Sequence, residues 1–180
     1  MRILGAILAG GRASRFGSNK ALALYRGEPL IAHAARTLGR QVETVVVCGG
    51  GRLLPGVVHL SDRPKSGLGP LGGLAAALFH AEHDGFDAVV SVGCDTPVLP
   101  DSLVAQMNGG EAARFMEAMP LIGWWPSHLS SALDAFLVHD PRRSLRGWAA
   151  AAGATATTIQ EVVPNINTPQ DLRALPPGDD

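Results

Sequence analysis

The segment Leu8-Ala9-Gly10-Gly11-Arg12-Ala13-Ser14-Arg15-Phe16-Gly17-Ser18-Asn19-Lys20 puts two adjacent glycines beside Arg12, Arg15 and Lys20. Glycines let a backbone turn sharply and bring its amides against a ligand with no Cβ in the way. Cations around the same loop suit a polyphosphate. An ordinary solvated loop with surface Arg and Lys is the competing reading. Two better-known glycine loops are excluded. A P-loop needs Gly-Lys-Ser/Thr in succession, whereas Ser18 and Asn19 separate Gly17 from Lys20. A dinucleotide fingerprint needs G-x-G-x-x-G, which neither Gly10-Gly11 nor Gly49-Gly50-Gly51 supplies.

Asp95 follows a Val-rich run in Val92-Gly93-Cys94-Asp95-Thr96-Pro97. A carboxylate there is placed to hold Mg²⁺, which needs only one or two protein carboxylates when phosphates and waters fill the rest. A turn-capping Asp before Pro97 explains the same residue. Asp62 is a weaker case of this type, with turn former as its default. Gly67-Leu68-Gly69-Pro70-Leu71-Gly72-Gly73-Leu74 leads into a Leu/Ala-rich stretch. Its glycines would admit a ligand at a helix entrance, or simply let a helix pack closely on a sheet. Asn165-Ile166-Asn167-Thr168-Pro169 reads as a capping turn unless a ligand recruits its amides.

Zinc-spaced Cys/His clusters, H-E-x-x-H and G-x-S-x-G are all absent, and His33, His59, His80, His83, His128 and His139 are scattered. None of these histidines is read as catalytic.

The elements that must position these residues follow from the apolar pattern. Continuous apolar runs of strand length occupy residues 3–8, 44–48, 57–60 and 88–92. Runs apolar on both faces fit central parallel strands, with short buried helices as the alternative. Leu30, Ala34 and Leu38 repeat at helical spacing before Gly39, and residues 71–83 are Ala/Leu-rich up to a stop near Gly85. Residues 101–107 follow Pro100 with Asp101 or Ser102 as cap. Beyond Gly109 the pattern loosens. A strand is expected over 121–124, helices over 129–137 and 144–152, a late strand over 155–159, and a helix over 169–175 capped by Thr168. The alternation predicts an α/β fold with three layers: a mainly parallel sheet carrying helices on both faces. Ligands in such sheets lie beyond the carboxyl ends of the strands, which directs attention to the residues after Leu8, Cys48, Leu60 and Val92.

Composition fits one domain over residues 1–175, with a Pro-Pro-Gly-Asp-Asp tail at 176–180 expected to be disordered. Lys and Arg total 15 against 16 Asp and Glu, a net charge of −1, which excludes a general grip on nucleic acid or anionic membrane. Apolar runs are too short and too often broken by Gly to span a bilayer. The first run passes straight into Gly10-Gly11-Arg12 without a cleavage site, so it reads as a strand rather than a signal peptide. Cys48 and Cys94 are isolated thiols, as in a reducing compartment, and the expected location is cytoplasmic.

Taken together, these motifs resemble those of the molybdenum cofactor guanylyltransferase family within the nucleoside-triphosphate transferases. The matching segments are Leu8-Ala9-Gly10-Gly11 through Arg15, Gly17 and Lys20; Asp62; Gly69-Pro70-Leu71-Gly72-Gly73; Cys94-Asp95-Thr96-Pro97; and Asn165-Ile166-Asn167-Thr168-Pro169. The similarity therefore covers nearly the whole chain. Cytidylyl relatives usually show Leu-Ala-Ala-Gly, so the resemblance favours guanine. It implies a Rossmann-like nucleotidyltransferase fold and transfer of GMP from GTP to the terminal phosphate of molybdopterin, with release of pyrophosphate.

By that resemblance Leu8, Ala9, Gly10, Gly11, Gly69, Pro70 and Leu71 border the nucleotide, and Asp62 meets its guanosine part. Lys20 and Arg15 contact the triphosphate and are catalytic with Asp95, which also binds Mg²⁺ and the nucleotide. Asn165 and Asn167 lie toward the pterin. Partners from molybdenum-cofactor biosynthesis, or an acceptor enzyme, are implied as well. The chain departs from the family at Asn19 (usually Asp), Cys48 (often a nucleotide-contacting Asn) and Met119 (often His). A cytidylyl or other nucleotidyl transferase on a different phosphate acceptor is the alternative, as is a nucleotide-binding module without turnover. The implied chemistry needs no general base, because a phosphate monoester with a second pKa near ~6 is already largely dianionic at neutral pH.

Overall fold

A computed structural model describes residues 1–10, 20–140 and 142–175, apart from the side chain of Pro169. In chain order it contains β1 (Ile3–Leu8), β2 (Leu24–Tyr25), β3 (Glu28–Pro29), α1 (Leu30–Gly39), β4 (Thr44–Cys48), β5 (Val58–Leu60) and α2 (Pro70–Asp84). There follow β6 (Ala88–Gly93), α3 (Leu103–Met107), β7 (Arg114–Met116), β8 (Gly123–Pro126), α4 (Ser130–His139), α5 (Leu145–Ala151), β9 (Thr155–Thr157) and α6 (Pro169–Arg173).

Alternating side chains of the central strands enter two different cores. Leu4, Ala6 and Leu8 of β1 join Val46, Cys48 and Val89 on one face, under Leu71, Leu74 and Leu78 of α2, Leu133 of α4 and Trp148 of α5. Ile7, Val47, Val90 and Val92 project from the other face onto Ile31, Ala34 and Leu38 of α1 and Leu103 and Met107 of α3. Trp124 and Trp125, neighbours on β8, are both fully buried, one in each core. The expected three layers are present.

Seven strands run in the order β5-β4-β1-β6-β8-β7-β9. Pairs β5·β4, β4·β1, β1·β6 and β7·β9 are parallel, whereas β8 is antiparallel to both β6 and β7. The chain thus steps outward from β1 to β4 and β5, then crosses back to place β6 on the other side of β1. The carboxyl ends of β1 and β6 are paired, Leu8 with Gly93, and the chain leaving β1 goes on to β4 on one side while the chain leaving β6 goes on to β7 and β8 on the other. Open α/β sheets bind ligands in the crevice such a reversal leaves.

The second half departs from the sequence expectation in register. The strand expected over 121–124 begins later, at Gly123, because residues 119–122 make the turn: Ile122 N–H donates to Met119 O at 2.9 Å and Met116 N–H to Ile122 O at 2.8 Å. Short β7 and the β2–β3 hairpin carry too few residues to show a period, so the sequence pattern does not announce them. Gly39 is the last residue of α1 rather than its stop, with Arg40 as the C-cap. Ser102 occupies the N-cap of α3, yet its hydroxyl donates to Glu161 Oε1 at 2.8 Å instead of capping the helix. Thr168 does cap α6, in a reciprocal capping box with Asp171.

Candidate active site

Lys20, in a single 3-10 turn at Lys20–Leu22, directs its ammonium to the end of β6. Its Nζ donates to Asp95 Oδ2 at 3.0 Å and to Asn167 Oδ1 at 3.0 Å. The Lys20 and Asp95 side chains are only 13% and 18% exposed, so the pair is partly shielded from water and its attraction exceeds that of a surface ion pair. Residues from three distant parts of the sequence meet here, at the switch point.

Local backbone explains each placement. Thr96 folds the turn after β6 by donating its hydroxyl to Gly93 O at 2.6 Å, which turns Asp95 back over the strand end. Gly93 is required for this, since a Cβ there would lie 2.3 Å from Asp95 Oδ1. Asn167 is held by α6, because Asp171 Oδ2 accepts the Asn167 and Thr168 N–H groups at 2.8 and 2.7 Å. Those two bonds, aided by the more distant Lys20 charge, hold the Asp171 carboxyl below the usual carboxylate range. Ile166 N–H donates to Asp95 O at 3.0 Å, stitching the same segment to the turn.

A second group of backbone segments converges beside β1. Ala9 N–H donates to Cys48 O at 2.9 Å and Gly49 N–H to Leu60 O at 3.0 Å, aligning the loops that follow β1, β4 and β5. A Cβ on Gly49 would sit 3.1 Å from Gly10 Cα and 3.2 Å from Asp62 Oδ1; one on Gly10 would sit 3.6 Å from Gly69 O. Leu8, Ala9, Gly10, Asp62, Gly69, Pro70 and Leu71 therefore belong to one neighbourhood. Gly69 enters α2 at φ +66°, a conformation that favours glycine. Asp62 Oδ2 accepts Gly67 N–H at 3.2 Å, whereas its Oδ1 is buried and has no hydrogen-bond partner among the described residues.

Asn165 and Asn167 are both exposed, and it is Asn167 that reaches Lys20. Gly11 and Arg15 lie outside the described residues, as do Asn19 and residues 176–180. The sequence alone assigns no positioning role to Gly93, Gly49 or Asp171; the available signals are a Gly two residues before Asp95, another directly after the 44–48 run, and the capping-box spacing of Thr168 and Asp171. Cys48 is fully buried against Gly73 of α2, where a Cβ would come within 3.0 Å of its own Cβ. Burial, with a contribution from the Asp62 charge, pushes its thiol up to about 12. Burial and the adjacent Asp95 charge likewise push Cys94 up to about 12, against the opposing Lys20 charge. Both thiols are protonated at neutral pH, so neither is an effective nucleophile.

Hard oxygens at this corner suit Mg²⁺. Asp95 supplies a carboxylate whose seat a Cβ on Gly93 would fill, and Asn167 supplies an amide oxygen. Among the described residues no group of three or more His, Cys, Asp or Glu side chains converges.

A sheet that reverses its strand order beside a Lys–Asp pair and a glycine-lined crevice is the architecture of an α/β ligand-binding domain. Residues 5–156 match the family described as MobA-like NTP transferase domain, and the chain belongs to that family. It is similar to a molybdenum cofactor guanylyltransferase of Rhodobacter capsulatus, 38% identical over 179 residues, spanning 96% of this chain and 94% of that protein. A molybdenum cofactor guanylyltransferase of Rhizobium leguminosarum bv. trifolii is 33% identical over 94% of this chain and 90% of its own. The fold matches the crystal structure of molybdopterin-guanine dinucleotide biosynthesis protein A from Archaeoglobus fulgidus, with TM-score 0.75 at 18% identity over 96% of this chain and 95% of that one. It also matches 2-C-methyl-D-erythritol 4-phosphate cytidylyltransferase from Thermus thermophilus, with TM-score 0.65 at 16% identity over 96% and 95% of the two chains.

Proposed function

We propose that the protein transfers GMP from GTP to the terminal phosphate of molybdopterin, forming a guanine dinucleotide cofactor and releasing pyrophosphate. The observation that carries this reading is the meeting of Lys20, Asp95 and Asn167 at the carboxyl ends of β1 and β6. The names of the relatives at 38% and 33% identity supply the substrates.

In this reading an oxygen of the molybdopterin phosphate attacks the α-phosphorus of GTP, and the bond to the bridging α–β oxygen breaks. No proton need be removed from the nucleophile. The protein's task is to bring two anions together and to stabilise charge on the transferred and leaving phosphates. Lys20 and Arg15, both in the sequence that follows β1, do so together with the backbone of Leu8, Ala9, Gly10 and Gly11. Gly69, Pro70 and Leu71 border the nucleoside, and Asp62 faces guanosine, whose N1–H and N2–H₂ donors match a carboxylate acceptor. Asn165 and Asn167 face the pterin. Asp95 would hold Mg²⁺, which when bound neutralises phosphate charge. Lys20 Nζ carries three N–H donors and, among the described residues, uses two on Asp95 and Asn167, so the third is available to a phosphate oxygen.

Two further points belong to the proposal. The free thiols of Cys48 and Cys94 are consistent with a cytoplasmic enzyme. No helix of the described residues is long and apolar enough to cross a membrane. Hand-over of product to a biosynthetic or acceptor enzyme is expected, without a surface assigned to it.

The test is a nucleotide panel with purified protein, Mg²⁺ and molybdopterin, scoring pyrophosphate and the dinucleotide product. GTP should support both. A kcat/KM for CTP equal to or above that for GTP would remove the guanylyl assignment. Absence of pyrophosphate with every nucleotide would leave only a binding module.

A further inference from the structure

Arg63 stands next to Asp62 and joins three elements. Its backbone N–H donates to Gly72 O at 3.0 Å, in the first turn of α2. Its guanidinium carbon lies 3.7 Å from the centroid of the Phe79 ring, further along α2. Its Nη2 donates to Asp134 Oδ2 at 3.2 Å, on α4. Arg63 and Asp134 are about one-third exposed, at 36% and 30%. Arg63 Nε and Asp134 Oδ1 are both buried without hydrogen-bond partners among the described residues, so water does not substitute readily for this contact.

We propose that Arg63 is a positioning residue for nucleotide selection: a clamp from α4 across α2 that fixes where the Asp62 carboxylate points. The neighbouring geometry requires such a constraint. Asp62 is squeezed against the entrance of α2, where a Cβ on Gly72 would lie 3.0 Å from Asp62 Cβ and 3.1 Å from its Cγ. Among the described residues its carboxylate has one hydrogen bond, from Gly67 N–H, which belongs to the same exposed loop and cannot anchor it to the body of the protein. The tether to the body comes through the next residue. A flat guanidinium stacked on Phe79 and hydrogen-bonded to Asp134 resists rotation of the 62–67 loop in a way a lysine does not, because Lys lacks the planar fork. Loss of the clamp would let Oδ1 wander from the nucleoside while leaving Lys20 and Asp95, across β1, undisturbed.

This inference rests on the reading that Asp62 faces guanosine. The experiment measures kcat and KM for GTP and CTP, together with the melting temperature, in Arg63→Ala, Arg63→Lys, Asp134→Asn and Asp62→Ala. For Arg63→Ala the KM for GTP should rise about tenfold with kcat little changed, the pattern of lost ground-state positioning. Its kcat/KM preference for GTP over CTP should shrink by about fivefold, and Arg63→Lys should recover only part of it. Asp134→Asn, which leaves the loop sequence intact, should shift KM in the same direction. If Asp62→Ala shows the rise in KM and the Arg63 and Asp134 variants do not, the clamp is overturned and the Asp62 reading stands. An unchanged KM in Asp62→Ala sinks that reading, and the clamp with it. A lower melting temperature with KM and nucleotide preference unaltered would also overturn the proposal, since a purely structural ion pair behaves in that way.

Discussion

Lys20 and Asp95 owe their geometry to a residue with no side chain. A Cβ at Gly93 would come 2.3 Å from Asp95 Oδ1, closer than any non-bonded pair tolerates, so Gly93→Ala must push the carboxylate aside. β6 should survive, because Gly93 is its last residue and the strand is paired with β1 throughout and with β8 over Ala88–Ser91. Gly93→Ala is therefore expected to fold, as judged by circular dichroism, while turnover drops by about 100-fold, the scale of a misplacement near 1 Å. Full activity in that variant would show that the Asp95 position is not critical. Lys20→Ala tests the partner. If Lys20 acts on charge developing in the transition state, kcat should fall at least as much as binding weakens, by ~2–4 kcal/mol in all. A change confined to KM would instead mark uniform binding. Both carboxylate and ammonium were recognisable in the sequence, because each stands directly after an apolar run or a glycine loop. Gly93 was not, since its necessity arises only when Thr96 draws the turn back onto the strand.

Among the elements, the central strands were the most legible and the antiparallel edge the least. β1, β4 and β6 are largely buried on both faces, and their apolar runs, interrupted in β6 by Ser91, announce this directly. β7, β8 and β9 contain three or four residues each, too few for a period to emerge, and their register is set by the turn at 119–122. Helices were read within a few residues because their caps are local: Gly85 closes α2 in the left-handed region and Thr168 opens α6. The backbone ladder between β6 and β8 is reinforced by a buried polar relay that sequence alone does not show. Ser91 Oγ accepts Trp125 Nε1–H at 2.9 Å and donates to Leu121 O at 2.8 Å, and Ser91 is fully buried. Ser91→Ala would leave both an indole N–H and a carbonyl without partners, at ~1–3 kcal/mol each. Urea unfolding should reveal a loss of that order with the KM for GTP unchanged, as Ser91 lies inside the sheet. A variant as stable as the parent would mean that the relay contributes nothing net.

For the whole molecule, charge is nearly balanced at −1, so anionic substrates are captured by local cations and amides rather than by a general field. The same near-neutral body has buried an ionisable thiol. Cys48 is fully enclosed at the end of β4, and its value of about 12 in the folded chain lies above the ordinary 9.0. A raised value means the folded state keeps a proton that the unfolded chain gives up. Stability from this group is therefore complete below about pH 9 and is lost progressively as pH climbs through about 12. Between those limits the unfolded state binds fewer protons, and the free energy of unfolding must slope downward with pH. Other groups titrate in the same range, so the test is a difference between two proteins. Cys48→Ala removes the proton without adding bulk beside Gly73, and its stability should decline less steeply than the parent's when urea midpoints are followed from pH 8 upward. Parallel curves would show that Cys48 ionises in the folded protein as freely as in the unfolded one, and that the core around β4 admits water.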